Sequence, residues 1–231
     1  MARNAMGRRP PGERGPGKKP VRLLTSKLIE ERLAARRDVL RASGIDPTPA
    51  LLATMAAYIE LLLRWNQKIN LTAITDLEEI ISRNFAESFF GARWLGPEAG
   101  RYCDVGSGAG FPGLALKLVR PAWHATLLEP TVKKAAFLSE VGRTLGLRDL
   151  AVESARWQDS RIEPGTLNVV TARALGGYDA LVEWAQSRLK SEGRLLFWVG
   201  AQDAREIKAL AGWTWQTEAM PGARESVLLV G

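Results

Sequence analysis

The sequence predicts an α/β fold, a mostly parallel seven-stranded sheet with helices on both faces, closed by a C-terminal antiparallel hairpin and preceded by a helical cap. Three observations predict it. From residue 101 onward short apolar runs alternate with stretches of helical period. The first of these runs, Arg101–Val105, leads straight into the glycine loop G-S-G-A-G-F-P-G at residues 106–113. The last two runs, Trp213–Thr217 and Ser226–Val230, flank Pro221-Gly222, which suits a hairpin.

The elements follow in order. Residues 1–24 form a basic tail, rich in proline and glycine and disordered by composition. The helical cap spans 25–98. Its first helix runs from Ser26 to about Ala42, closed by Gly44, with Leu28, Ile29, Leu33 and Leu40 as the apolar set. A second runs from Ala50 to about Lys68, where Leu51, Leu52, Met55, Ile59, Leu62 and Leu63 recur at helical spacing. A third is opened by Asp76 and runs from Leu77 to Trp94. The Rossmann-like domain spans 99–231. Its strands are expected at 101–105, 123–129, 150–153, 167–172, 194–199, 213–217 and 226–230, and its helices at 112–119, 131–145, 180–189 and 203–210.

Composition removes several functions. The chain has 231 residues, 46% hydrophobic and 25% charged, which is ordinary for a globular protein. No apolar run approaches the ~20 residues of a membrane helix, and no apolar stretch follows the basic N-terminus as in a signal peptide. A cytoplasmic protein is expected. One cysteine and one histidine exclude a disulfide framework and argue against a Cys/His metal site and the usual nucleophile–base pairs, so no metal is expected. Cys103 reads as a buried strand residue. Of the formal net charge of +7, residues 1–22 carry +6, from seven basic residues against Glu13. Such a tail suits an RNA backbone, through counterion release, or is a solvated extension.

A strand, a glycine-rich turn and a helix start make a ligand site from backbone geometry. Gly108-x-Gly110-x-x-Gly113 matches the dinucleotide fingerprint, so an NAD(P)-dependent oxidoreductase is the first rival. Asp104 lies two residues before Gly106, where a carboxylate offers a pyrophosphate nothing and a cationic ligand much. Glu129 ends the next strand, 23 residues after Gly106, placed to accept hydrogen bonds from ribose hydroxyls. The closing hairpin follows the sheet plan of class I methyltransferases. S-adenosyl-L-methionine is a sulfonium nucleoside without phosphate, and Asp104, Gly106, Gly108 and Glu129 together suit it.

Further motifs are more specific. Trp65-Asn66-Gln67-Lys68-Ile69-Asn70-Leu71-Thr72, the loop from Asp104 to Gly113, Lys133-Lys134-Ala135-Ala136-Phe137-Leu138 and Thr171-Ala172-Arg173-Ala174 occur in that order. On these the chain resembles the RsmG (GidB) family of small-subunit 16S rRNA guanine-N7 methyltransferases, from about residue 50 to the C-terminus. The resemblance implies cofactor contacts at Gly106, Phe111 and Arg173, with Trp157 and Gln158 bracketing the adenine. It implies a 16S rRNA or small-subunit ribosomal particle as partner and S-adenosyl-L-homocysteine as product. Two residues depart from the family pattern. Asn84 stands where His is common in R-H-x-x-(D/E)-S, and Val199 where Lys is common before the glycine at Gly200; both are expected on the RNA side.

The chemistry is consistent with this. Guanine N7 has an in-plane lone pair and no proton, so methyl transfer needs alignment and electrostatics rather than a general base. An exocyclic-amine enzyme would carry an (N/D/S)-P-P-(Y/F) run where Thr171–Gly176 stands, and a cytosine-C5 enzyme a nucleophilic cysteine there. Arg173 and Asn70 are the candidate catalytic residues, Arg173 pairing with the cofactor carboxylate, an RNA phosphate or guanine O6. Asn66 and Thr72 are candidates to position the guanine or to close over the cofactor, or else form a helix cap and turn. Lys133 and Lys134 start a helix, where the macrodipole disfavours cations, which hints at RNA contact. Trp65, Trp94, Trp184 and Trp198 read as core. A monomer is expected. A non-catalytic S-adenosylmethionine-binding regulator remains as a second alternative.

Overall fold

The computed structural model describes residues 24–210, 212–223 and 225–231, so residues 1–23 of the tail lie outside the described residues. Among the described residues seven strands form one sheet: β1 (Arg101–Val105), β2 (His124–Leu128), β3 (Leu150–Glu153), β4 (Leu167–Arg173), β5 (Leu189–Gly200), β6 (Gln216–Ala219) and β7 (Ser226–Val230). Their order is β3-β2-β1-β4-β5-β7-β6. The first five run parallel, and β7 is antiparallel to both β5 and β6. The order reverses between β1 and β4, and beyond the carboxyl ends of strands at such a point lies the crevice that open α/β sheets use for ligands.

Among the described residues nine α-helices accompany the sheet: α1 (Ser26–Ala35), α2 (Arg37–Ala42), α3 (Pro49–Asn66), α4 (Leu77–Glu79), α5 (Glu87–Phe90), α6 (Gly113–Val119), α7 (Val132–Thr144), α8 (Tyr178–Arg188) and α9 (Ala201–Lys208). Three expectations are corrected. The helix expected over 26–42 breaks at Arg36, whose φ of −116° and ψ of 27° leave the helical region. The break lets α1 pack on α3 while α2 packs on the next helical run. The single helix expected over 77–94 changes pitch along its length. α4 passes into a π-helical stretch, Ile80–Ala86, then α5, then a 3₁₀ turn, Gly91–Trp94. Wide turns of this kind commonly occur at functional sites. The sixth strand begins at Gln216, later than the tryptophan-rich run implied. Trp213 and Trp215 instead lie against each other, with Trp215 on Phe197 at 5.7 Å between ring centroids.

The cap and the sheet share one core. Ile29, Leu33, Met55, Phe85 and Phe89 of the cap cluster with Phe111, Leu114, Leu127 and Phe137 of the sheet layer. The joint centres on Tyr58 of α3, which is fully buried. Its ring stacks on Phe111 at 5.3 Å and 2°, and Phe85 meets it edge-on at 5.4 Å. Burial raises the phenol pKa well above its ordinary value, so the hydroxyl keeps its proton and donates to the Ala109 carbonyl at 2.6 Å. A second joint comes from Trp198 of β5, whose indole N–H donates to the Glu87 carbonyl at 2.7 Å.

Tyr58→Phe keeps the stack and removes the donor, leaving the Ala109 carbonyl buried without its partner. We expect a loss of about 1–3 kcal/mol in urea unfolding; an unchanged midpoint would show that the cap does not depend on this bond.

Candidate functional site

The alternation of β1 decides where its side chains go. Cys103 and Val105 enter the core beneath α8 and α9, so Tyr102 and Asp104 face the other side, toward α6. Tyr102 Oη donates to the Gly113 carbonyl at 2.7 Å. Asp104 is fully buried. Its carboxylate accepts from Thr171 Oγ1 of β4 at 2.6 Å and from the Gly113 amide at the start of α6 at 3.2 Å. Gly113 has no room for a side chain, since a Cβ there would come within 2.5 Å of that carboxylate. Burial raises the Asp104 pKa to about 6, against the opposing pull of its hydrogen bonds from Thr171, Ser107 and Gly113.

This corrects the role expected of Asp104. It does not face a ligand; it is the anion that the α6 N-terminus holds. Several other amides around that helix start are also bonded internally. Gly110 N–H donates to Ser107 O, Leu114 and Ala115 N–H donate to Gly110 O, and Pro112 has none. Gly106 and Ser107 N–H both donate to Leu128 O. A pyrophosphate needs such amides free, so the loop is unsuited to a dinucleotide. It suits a phosphate-free nucleoside that lies along its surface. Gly110, at φ +88°, is required by Tyr58, because a Cβ would lie 2.2 Å from its hydroxyl. A Cβ at Gly108 would meet only Gly106 O, at 3.8 Å, so open space lies over this part of the loop.

Glu129 underpins the same turn. Its two carboxylate oxygens accept from Gly108 N–H and Thr131 N–H, each at 2.9 Å. Each oxygen has a further lone pair for a ribose hydroxyl. The residues therefore fit S-adenosylmethionine, with Glu129 available to its ribose and the loop surface to its nucleoside.

A cleft of about 420 Å³ opens between this loop and the cap, lined among others by Thr72, Asn84, Gly106, Gly108, Phe111 and Arg173. Arg173, expected to pair with the cofactor carboxylate, an RNA phosphate or guanine O6, has partners within the protein. It pairs with Glu87 at 2.8 Å and donates to the Arg83 carbonyl at 2.8 Å. Burial raises the Glu87 carboxyl while Arg173 and Arg83 oppose the rise; burial likewise lowers Arg173 while Glu87 supports its charge. Both departures from the family pattern reach the cleft, since Asn84 and Val199 line it.

Other candidates lie elsewhere. Asn66 is the clamp of the W-N…N-L-T turn: its Oδ1 accepts from Leu71 and Thr72 N–H, and its Nδ2 donates to Thr72 O. That motif is a turn that carries Leu71 and Thr72 to the cleft wall. Asn70 is exposed and does not line the cleft. Lys133 and Lys134 stand in the first turn of α7, outside the cleft wall. Trp157 packs on Trp184 at 5.7 Å and Gln158 is exposed, and neither lines the cleft. Sequence reasoning assigned no role to Tyr58, Thr171, Arg83 or Glu87. Glu87 was visible as the acidic position of R-N-F-A-E-S, and Tyr58 was hidden in the apolar stripe of α3. The chain's one histidine, His124, opens β2 at the amino end of the strands, so no imidazole base stands at the cleft. Among the described residues no cluster of His, Cys, Asp and Glu forms a metal site.

Residues 51–220 match the family model GidB, described as rRNA small subunit methyltransferase G. A Xylella fastidiosa (strain 9a5c) protein named ribosomal RNA small subunit methyltransferase G is 39% identical over 183 residues, covering 79% of this chain and 82% of that one. A protein of the same name from Roseiflexus castenholzii (strain DSM 13941 / HLO8) is 43% identical over 144 residues, covering 61% of this chain and 62% of that protein, under two thirds of its length. Among solved structures, a SAM dependent methyltransferase from Aquifex aeolicus superposes with a TM-score of 0.55 at 15% identity, covering 67% of this chain and 93% of that one. That last likeness is one of fold.

The buried Asp104 makes stability depend on pH. Its folded pKa of about 6 exceeds the ordinary 3.8, so the folded chain holds the proton more tightly. The resulting stabilisation is full below about pH 4 and is lost as the pH rises through 6. Asp104→Asn cannot accept both hydrogen bonds and is less stable at low pH, but it lacks that loss. The stability gap between the variant and the parent should therefore narrow by up to ~3 kcal/mol from pH 4 to pH 7.5 in urea unfolding; a gap that widens contradicts the assignment.

Proposed function

The chain belongs to the rRNA small subunit methyltransferase G family, and on that premise we propose that it methylates N7 of a guanine in 16S rRNA. It is an S-adenosylmethionine-dependent methyltransferase with a Rossmann-like fold. The observation that carries the cofactor reading is the glycine loop whose helix-start amides are already bonded, with open space above Gly108. The same observation speaks against an NAD(P)-dependent oxidoreductase.

When bound, S-adenosylmethionine supplies a methyl group on a sulfonium; it would give that methyl to the guanine N7 lone pair and keep the pair of the broken S–CH₃ bond on sulfur. The chain's part is to hold the base. No proton moves, the base becomes cationic, and a cleft without an imidazole is no handicap. Glu87 and Arg173 neutralise each other at 2.8 Å, and Arg83 on the same wall pairs with Glu79 at 3.4 Å, so each cation near the forming positive charge has an acidic partner. Gly106, Gly108 and Phe111 take the cofactor side of the cleft and Thr72 the closing side. Arg173 acts by fixing the cap at Arg83 and Glu87.

Asn70, Lys133, Lys134, Trp157 and Gln158 lie outside the cleft wall. For them we retain outer contacts, Trp157 and Gln158 toward the adenine and the others toward RNA. The partner we propose is 16S rRNA or the small-subunit particle, met by a monomer in the cytoplasm. No described helix is long and apolar enough to cross a membrane.

Two measurements test this reading. Isothermal titration should show S-adenosylmethionine binding and no comparable binding of NAD; the reverse would sink it. Mass mapping of 16S rRNA from cells with and without the gene should show one N7-methylguanine that depends on it, and its presence in both would contradict the target.

A further inference from the structure

We propose that a basic cavity at the amino edge of the sheet binds a phosphate group. The cavity, of about 380 Å³, lies between the 3₁₀ turn that ends the cap and the loop that joins α6 to β2. Arg93 and Arg120 line it from these two sides, and none of its lining residues lines the cleft. α6 leaves the carboxyl end of β1, and the parallel β2 begins at the other end. The cavity and the cleft therefore stand at opposite edges of the sheet, and the site does not rest on the guanine-N7 reading.

Backbone carbonyls hold both guanidinium groups in place. Arg120 Nε donates to the Leu95 carbonyl at 2.8 Å and its Nη1 to the Val119 carbonyl at 3.0 Å. Arg93 Nε donates to the Phe90 carbonyl at 3.1 Å, and its guanidinium lies 3.7 Å over the Phe90 ring. Carbonyls fix the two planes without neutralising their charge. No ion pair among the described residues involves either arginine, and no acidic side chain lines the cavity. Glu98, three residues beyond Leu95, is exposed and is not part of the wall. Arg120 Nη2 has no partner among the described residues and is not sealed from solvent. Arg93 is exposed and its terminal nitrogens have none either. Burial disfavours the Arg120 charge. Lys117 adds a third cation behind the same loop, donating to the carbonyls of Pro121 and Trp123.

Two fixed guanidinium groups in one cavity repel each other, and an anion between them removes the repulsion. The guanidinium fork matches carboxylate and phosphate oxygens. A planar carboxylate is filled by one fork, whereas a tetrahedral phosphate offers oxygens to two forks from different walls. Leu95, Pro97, Pro121 and Ala122 bring no side-chain hydrogen-bonding group, so the wall selects a charged head rather than a sugar or a base. The phosphate comes either from an RNA backbone or from a free phosphate compound.

Two measurements on the full chain test this. The first compares melting temperatures in chloride, acetate and inorganic phosphate at equal ionic strength, for the parent, Arg93→Gln and Arg120→Gln. Phosphate excluded from the surface stabilises all three alike, so the difference between parent and variant is the readout. We expect the parent to gain about 2–4 °C more than either variant in phosphate, saturably, with S-adenosylmethionine affinity unchanged. A variant that loses the same amount in every salt has lost only packing. That result, no saturable gain in the parent, or an equal gain in acetate would overturn the proposal. If Arg120→Gln fails to fold for want of its carbonyl bonds, Arg93→Gln decides by the same criterion. The second measurement follows 16S rRNA binding against salt and identifies the source. If the RNA backbone supplies the phosphate, each variant binds more weakly and its log–log salt slope falls by about 1. Unchanged RNA binding, with the phosphate gain still lost, supports the site and assigns it to a free phosphate compound. A parent that makes no N7-methylguanine refutes the functional reading and leaves the melting-temperature test standing.

Discussion

The site depends on one buried carboxylate. Asp104 ties three elements together: it lies on β1, accepts from Thr171 on β4 and accepts from Gly113 at the start of α6. This is the point where the strand order reverses, so the interaction that closes the sheet also shapes the crevice above it. A helix N-terminus favours negative charge. Here the chain supplies that charge from within, and no anionic ligand is needed there. Four glycines around a helix start are compatible with many nucleotides; the internal carboxylate restricts them to a nucleoside without phosphate.

The cap follows from the same arrangement. With its helix-start amides bonded, the loop presents its outer surface to a partner, and Tyr58 closes on it through Ala109 and Phe111. Gly110 is the space Tyr58 needs. Arg173 and Trp198 then fasten the π-helical stretch and the start of α5 over the carboxyl ends of β4 and β5. The cap is therefore one wall of the site as well as a packing layer. The wide turn within it carries Arg83 and Asn84 along that wall, and α5 adds Glu87.

Much of this was legible in the sequence. Breaks such as Gly100 and Pro221-Gly222 delimited the strands, and the sheet plan followed. The residues around the loop identified a sulfonium nucleoside, although the reason given for Asp104 was inverted. The correct reason was within reach, because period-two alternation puts Asp104 on the face of Tyr102, beneath α6. The pitch changes over Leu77–Trp94 were not legible, since hydrophobic spacing does not distinguish a π turn from an α turn over so few residues. Trp213 and Trp215 imitated a strand because bulky apolar residues favour sheets even where they pack from irregular backbone. Of the W-N…N-L-T candidates, Asn66 takes the turn role that was its other reading and Thr72 lines the cleft.

The central claim is that the loop is complete before any ligand arrives. Amide hydrogen exchange at Gly110, Gly113, Leu114 and Ala115 tests it most directly. The account predicts that these amides are strongly protected in the ligand-free protein, that S-adenosylmethionine adds little, and that protection at Gly113 falls in a Thr171→Val background. Fast exchange at these positions without ligand, with protection appearing only when a ligand binds, would contradict it.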